Sequence, residues 1–145
     1  MVVDDAPSGH AAIGQGLALA TRPTVASPGG EQASCKVNRN LTDDEIRGIA
    51  GTGGVIGIGY WDAAICTTRP EGAATAIAHV RDLVGIDHVG LGSDFDGAVI
   101  TGFDSSQLAA VTQALIDRGF SDADIAKVMG GHVLRGLRAG IAPQG

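Results

Sequence analysis

The sequence predicts an α/β protein whose parallel sheet is assembled from strand–helix units. Three observations carry this reading. Short apolar or glycine-rich runs alternate with longer amphipathic stretches along the chain, which is the alternation expected of βα units. The run Gly54-Val-Ile-Gly-Ile-Gly59 is apolar at successive positions, as in a strand covered on both faces rather than one. The connections between runs are short and punctuated by Gly and Pro.

Taken in order, Met1 to Asp4 is a short apolar run ending in acid. Ala11 to Ala20 reads as a helix, closed before Pro23 because the residue preceding a proline disfavours the α conformation. Thr24 to Ser27 is a short buried strand, and Pro28 to Asn40 a polar loop. The next helix starts at Thr42, with Glu45 placed three residues on to complete a capping box, and runs to about Ala50. Gly54 to Gly59 follows as a strand. Pro70-Glu71 opens a helix whose apolar positions Ala74, Ile77, Ala78, Leu83 and Val84 keep a helical period. His88 to Gly92 is a further buried strand. Ser105 to Arg118 is a helix ending at Gly119, and Ser121 opens a last one that runs to about Arg138. The sum is about four strands and about five helices in one unit over residues 1–140. A short tail at 141–145 is expected to fray.

Composition narrows the function. A chain of 145 residues carries a formal charge of −6 and has no Lys/Arg cluster, which argues against nucleic acid as a partner. No apolar run approaches the roughly 20 residues that span a bilayer, and the first residues have no signal-peptide character. A cytoplasmic protein without membrane contact is expected. Cys35 and Cys66 are too few and too far apart for a structural zinc cluster; in a reducing compartment buried thiols are favoured over one disulfide.

In a parallel α/β barrel the chemistry sits at the C-terminal ends of the strands. The segment His88-Val-Gly-Leu-Gly-Ser-Asp94-Phe-Asp96-Gly97 places two carboxylates just past a buried strand. Each can act as a metal ligand, a general base or a structural cap, and on spacing alone turn formation and capping are favoured.

The whole string shifts that balance, because it closely resembles the eighth-strand signature of the membrane dipeptidase family. Arg39-Asn-Leu-Thr-Asp43 and Thr52-Gly-Gly-Val-Ile-Gly-Ile-Gly-Tyr-Trp61 resemble the same family in the same order. So does Val128-Met-Gly-Gly-His-Val-Leu-Arg135, where the family usually carries Asn at the position of His132. The resemblance covers Met1 to about Arg138. It implies the C-terminal half of a (β/α)8 TIM barrel of metallo-dependent hydrolase type, from a family of homodimeric enzymes that hydrolyse dipeptides with two bridged zinc ions. Residue by residue, it implies that Asp94 is the catalytic aspartate. It likewise implies that Arg39 binds the substrate carboxylate, a task that suits the bidentate guanidinium fork. Cys35 and Cys66 fall where some relatives place a disulfide.

The chain also departs from the family pattern. The His-x-Asp pair and bridging glutamate of the family's earlier strands have no counterpart, since the matching region would precede Met1. The two histidine ligands of the fifth and sixth strands fall on Pro7 and Pro28, and proline offers a metal no donor atom. His10, His79, His88 and His132 form no paired ligand motif. Asp4, Asp5, Asp94 and Asp96 could hold a hard cation weakly, but adjacent carboxylates without a cage of oxygens usually do not. The expectation is therefore that this chain binds no zinc and does not hydrolyse dipeptides alone. The alternative is a degenerate, non-catalytic half-barrel whose open edges pair with a second copy or with a complementing N-terminal half. Another barrel metallohydrolase, such as an amidohydrolase, also places an aspartate at strand eight but lacks the Arg39 and Gly53–Trp61 segments.

Overall fold

The computed structural model describes residues 3–6 and 8–141. Four parallel strands lie in chain order: β1 (Val3–Asp4), β2 (Thr24–Gly29), β3 (Val55–Ile58) and β4 (Val89–Leu91). Between and after them come α1 (His10–Leu19), α2 (Asp43–Gly51), α3 (Asp62–Ile65), α4 (Pro70–Val84), α5 (Ala109–Asp117), α6 (Asp122–Ala126) and α7 (His132–Ile141). A π-helical turn, Lys127–Gly131, joins α6 to α7, with Gly130 at φ 156°. That kink, which the helical periodicity did not signal, divides the expected last helix into two arms. Another unforeseen element is α3, too short to show a period. Of the expected tail, Ile141 closes α7 and residues 142–145 lie outside the described residues.

Local chemistry explains the boundaries. Thr42 accepts the Glu45 backbone N–H through its side chain, while the Glu45 carboxylate accepts the Thr42 N–H at 2.8 Å, so the capping box forms as read. Pro70 occupies the first turn of α4, where its missing N–H costs nothing. Ser121 caps α6 by accepting the Asp124 N–H. His88 ends a 3-10 turn (Ile86–His88) rather than opening β4, and its Nδ1–H donates to the Gly54 carbonyl at 2.9 Å.

The sheet divides two environments, as alternation along a strand requires. Ala26, Ile56, Ile58 and Val89 belong to the main core, with Ile46 and Ile49 of α2 and Ile77 and Val80 of α4. The opposite face is less covered. Val25, Ser27, Val55 and Gly57 line a cavity of about 340 Å³ whose far wall is Val133, Gly136 and Leu137 of α7. Among the described residues, β1 and β4 each pair on one side only. No helix among them is long and apolar enough to cross a membrane.

Asp5, just past β1, is a local exception to the burial rule for carboxylates. It is 6% exposed, lies against Gly16 of α1, and its Oδ2 has no hydrogen-bond partner among the described residues. Burial raises its pKa, the neighbouring Asp4 charge adds to the rise, and the Thr24 hydroxyl opposes it. A carboxyl with a raised folded-state pKa stabilises the fold below its unfolded value, and that contribution is lost as pH climbs through the folded value. Asp5→Asn is therefore expected to raise the melting temperature at pH 7. The gain should shrink towards zero as pH falls below the ordinary aspartate range, which thermal unfolding across pH 3–7 will read; a pH-independent effect would rule this account out.

Candidate functional site

The C-terminal ends of the strands carry the residues of interest. At the end of β2 the Ser27–Pro28 peptide is cis, and the chain enters the loop of residues 30–41. That loop is closed at its base by two backbone bonds, Leu41 N–H to the Gly30 carbonyl (3.0 Å) and Gln32 N–H to the Leu41 carbonyl (2.9 Å). Its inside is polar and mostly satisfied, the exception being the buried Asn40 Oδ1, which has no partner among the described residues. Glu31 is fully buried, and its two carboxylate oxygens accept the Ser34 N–H at 3.1 and 2.9 Å. Asn40, also buried, donates through Nδ2 to the carbonyls of Cys35 (2.8 Å) and Ala64 (2.9 Å). Such a loop is held by internal bonds instead of by apolar burial, so its shape is set before any ligand arrives.

Cys35 and Cys66 form a disulfide, Cα to Cα 5.1 Å. The preference for thiols drawn from composition is corrected here. The loop's two bonds from Asn40 and the turn after α3 bring the two cysteines together, and spacing in the sequence does not encode that approach. Cys66 caps α3 in the left-handed conformation, φ 53°. The bridge thus ties the loop after β2 to the loop after β3.

Arg39 projects from this loop. It is exposed, with its guanidinium carbon 4.8 Å from the centre of the Trp61 ring, a cation–π stack. It also lines a small cavity of about 20 Å³ together with Asp5, Ser8, Pro28 and Gly30, enough for about one water. The structure therefore gathers Arg39, Pro28 and Asp5 at one place. Pro7, the other proline at a histidine position of the family, lies outside the described residues.

Asp94 stands at the end of β4 with φ 64°, a conformation that Asp tolerates better than most residues. Its carboxylate lies where a Cβ on residue 97 would be, so a larger residue there would have to push the Asp94 side chain aside, and the Gly97 N–H donates to the Asp94 carbonyl at 3.1 Å. Turn formation, the reading favoured on spacing alone, is thus present in the backbone geometry. Asp96 is exposed. Behind this turn Phe95, Tyr60 and Phe103 form an aromatic cluster with ring centres 5.0 to 6.3 Å apart. Burial pushes the Tyr60 hydroxyl well above its ordinary pKa, so it remains a neutral packing group.

Trp61 stands beside these residues and packs against Gly59, two positions earlier. A Cβ on Gly59 would overlap the Trp61 ring. The indole is 4% exposed and its Nε1–H has no partner among the described residues, a desolvation cost of about 1–3 kcal/mol.

The histidines are engaged elsewhere. His10 donates through Nδ1 to Glu45 at 2.7 Å, and that bond raises its pKa. His79 donates through Nε2 to Asp43 at 2.9 Å. His132 is buried near Asp87, and burial lowers its pKa, with Arg135 adding to the fall. Among the described residues no three His, Cys, Asp or Glu side chains gather closely enough to hold a metal ion.

Comparison with known proteins settles the ancestry. The model of the membrane dipeptidase family, Peptidase family M19, matches residues 1–141. The chain belongs to the membrane dipeptidase family. Within it, the chain is 32% identical over 140 residues to dipeptidase verJ of Clonostachys rogersoniana, covering 93% of this chain and 36% of that protein. Its fold is similar to the crystal structure of the probable dipeptidase PvdM of Pseudomonas aeruginosa, with TM-score 0.81 and 27% identity over 90% of this chain and 48% of that one. It is equally similar to a Rhodobacter sphaeroides metallopeptidase liganded with a phosphinate mimic of the dipeptide L-Ala-D-Ala, with TM-score 0.81 and 26% identity over 90% of this chain and 40% of that one. The chain thus spans between about a third and a half of the relatives it matches. Its four parallel strands and their helices are half of a metallo-dependent hydrolase barrel, in a family of metallopeptidases.

Proposed function

We propose that this chain is a peptide-binding half of a dipeptidase-type barrel that does not hydrolyse its ligand by itself. The observation that carries the reading is the pairing of Arg39, exposed and stacked on Trp61, with Pro28 at the neighbouring strand end. The first offers a guanidinium fork for the carboxylate of a dipeptide. The second stands where the resemblance places a metal-binding imidazole. The liganded Rhodobacter relative supports a dipeptide as the ligand class.

The metal that the family implies is zinc, two ions, which would supply a bound water of lowered pKa. The residues present do not fit it. Pro28 has no donor atom, the described histidines are bonded to Glu45, Asp43 and a backbone carbonyl or lie buried, and Asp94 faces its own turn. Asp94 remains at the strand end as the counterpart of the family's catalytic aspartate, without a partner among the described residues that would activate water.

The single free side of β1 and of β4 favours a second reading, a non-catalytic half-barrel that pairs with a further chain. One purified sample tests both. Metal analysis is expected to find zinc far below one equivalent, and L-Ala-D-Ala hydrolysis is expected at background; near-stoichiometric zinc with turnover would overturn the first reading. Light scattering on that sample separates a monomer from a dimer, and a compact monomer would count against the second.

A further inference from the structure

Trp61 touches both loops that carry the candidate residues. Its ring face holds the Arg39 guanidinium carbon at 4.8 Å, and its backbone forms an antiparallel bridge to Thr101, in the segment that follows Asp94. The ring is almost wholly buried, it fills the space that Gly59 leaves, and its N–H is unpartnered among the described residues. Packing alone does not account for that choice. A phenyl ring would carry no orphan donor, but it presents a weaker face to a cation than an indole does. What the larger ring adds is the arginine.

We propose that Trp61 is a positioning residue for Arg39: its face holds the guanidinium flat, so that the fork meets the carboxylate of a small peptide already oriented. The proposal rests on Arg39 as the carboxylate grip. A free arginine samples many rotamers, and holding it in one removes the ordering that binding would otherwise require. The disulfide and the Asn40 bonds fix the loop's backbone; the indole fixes the side chain that the loop carries.

Trp61 is the only tryptophan of the chain, so its emission should change saturably on addition of L-Ala-D-Ala. By calorimetry, Trp61→Leu is expected to weaken binding of that peptide about five- to tenfold and Trp61→Phe about two- to threefold. In the double variant Arg39→Ala/Trp61→Leu the loss should equal that of Arg39→Ala alone, because the two act through one contact. A merely structural tryptophan would add its own loss. Without ligand, the Arg39 δ-protons should show an upfield ring-current shift in NMR spectra that disappears in Trp61→Leu; this readout and Trp61→Phe serve even where Trp61→Leu folds poorly. Native-like binding by folded Trp61→Leu, or unshifted Arg39 protons, would overturn the positioning role while leaving Arg39 intact. Unchanged binding by Arg39→Ala, or none by the native chain, would overturn the carboxylate grip and the positioning role with it.

Discussion

Cys66→Ser is expected to lower the free energy of unfolding by about 3–4 kcal/mol, from the entropy of a loop of this length in the unfolded chain. The two cysteines are 31 residues apart, and the segment between them holds α2, β3 and α3. Cys66 is the better position to change because it is exposed, whereas Cys35 is 1% exposed and a buried thiol packs as a small hydrophobe. Urea unfolding of the native and variant chains without reductant measures the difference, and adding a thiol reductant to the native chain should reproduce it. A loss below about 1 kcal/mol would mean that Asn40 and Glu31 already restrict the loop in the unfolded ensemble, against the chain-entropy account. In a marginally stable domain of this size a loss of 3–4 kcal/mol is a large part of the total.

Gly30→Ala is expected to destabilise at or above the top of the usual range for overpacking, about 1–3 kcal/mol. A Cβ at that position would overlap the Ala64 carbonyl, and the nearest atoms are all Ala64 backbone. A flexible side chain can swing aside; a peptide carbonyl in a helix cannot. The Ala64 carbonyl also accepts the Asn40 Nδ2–H bond, so displacing it leaves a buried amide short of a partner. The same substitution at Gly14, where a Cβ meets nothing within 4 Å, is the control. There alanine should be neutral or slightly stabilising, because helix propensity favours it over glycine. Equal melting temperatures for Gly30→Ala and native chains would show that the loop is looser than its bonds suggest.

Much of the architecture was legible because local rules and the global fold agree in this chain. The run Gly54–Gly59, the Thr42–Glu45 capping box and the proline at the start of α4 each state their conformation within a few residues. The half-barrel itself was legible only through the resemblance of the His88–Gly97 and Arg39–Asp43 segments, since a four-stranded parallel sheet is common to many α/β folds. The site was legible in part. Arg39 and Asp94 could be named from motif positions, but the stack of Arg39 on Trp61 joins loops from two strands and leaves no periodic trace. The disulfide depends on two loop conformations at once, so composition pointed the other way. Asp5 occupies a position where a carboxylate is a cost, and no rule of alternation foretells such an exception.

The strand order carries a kinetic meaning. Every strand pairs with its neighbour in sequence, so each pairing closes only the one connection between two adjacent strands. Closure entropy grows slowly with length and is small for each step taken alone. Within this sheet each described strand after the first can therefore add to the one before it in sequence, one βα unit at a time. Of the described helices α7 comes after all four strands and brings its wall of Val133, Gly136 and Leu137, so the less covered face of the sheet loses its water only after the strands have paired.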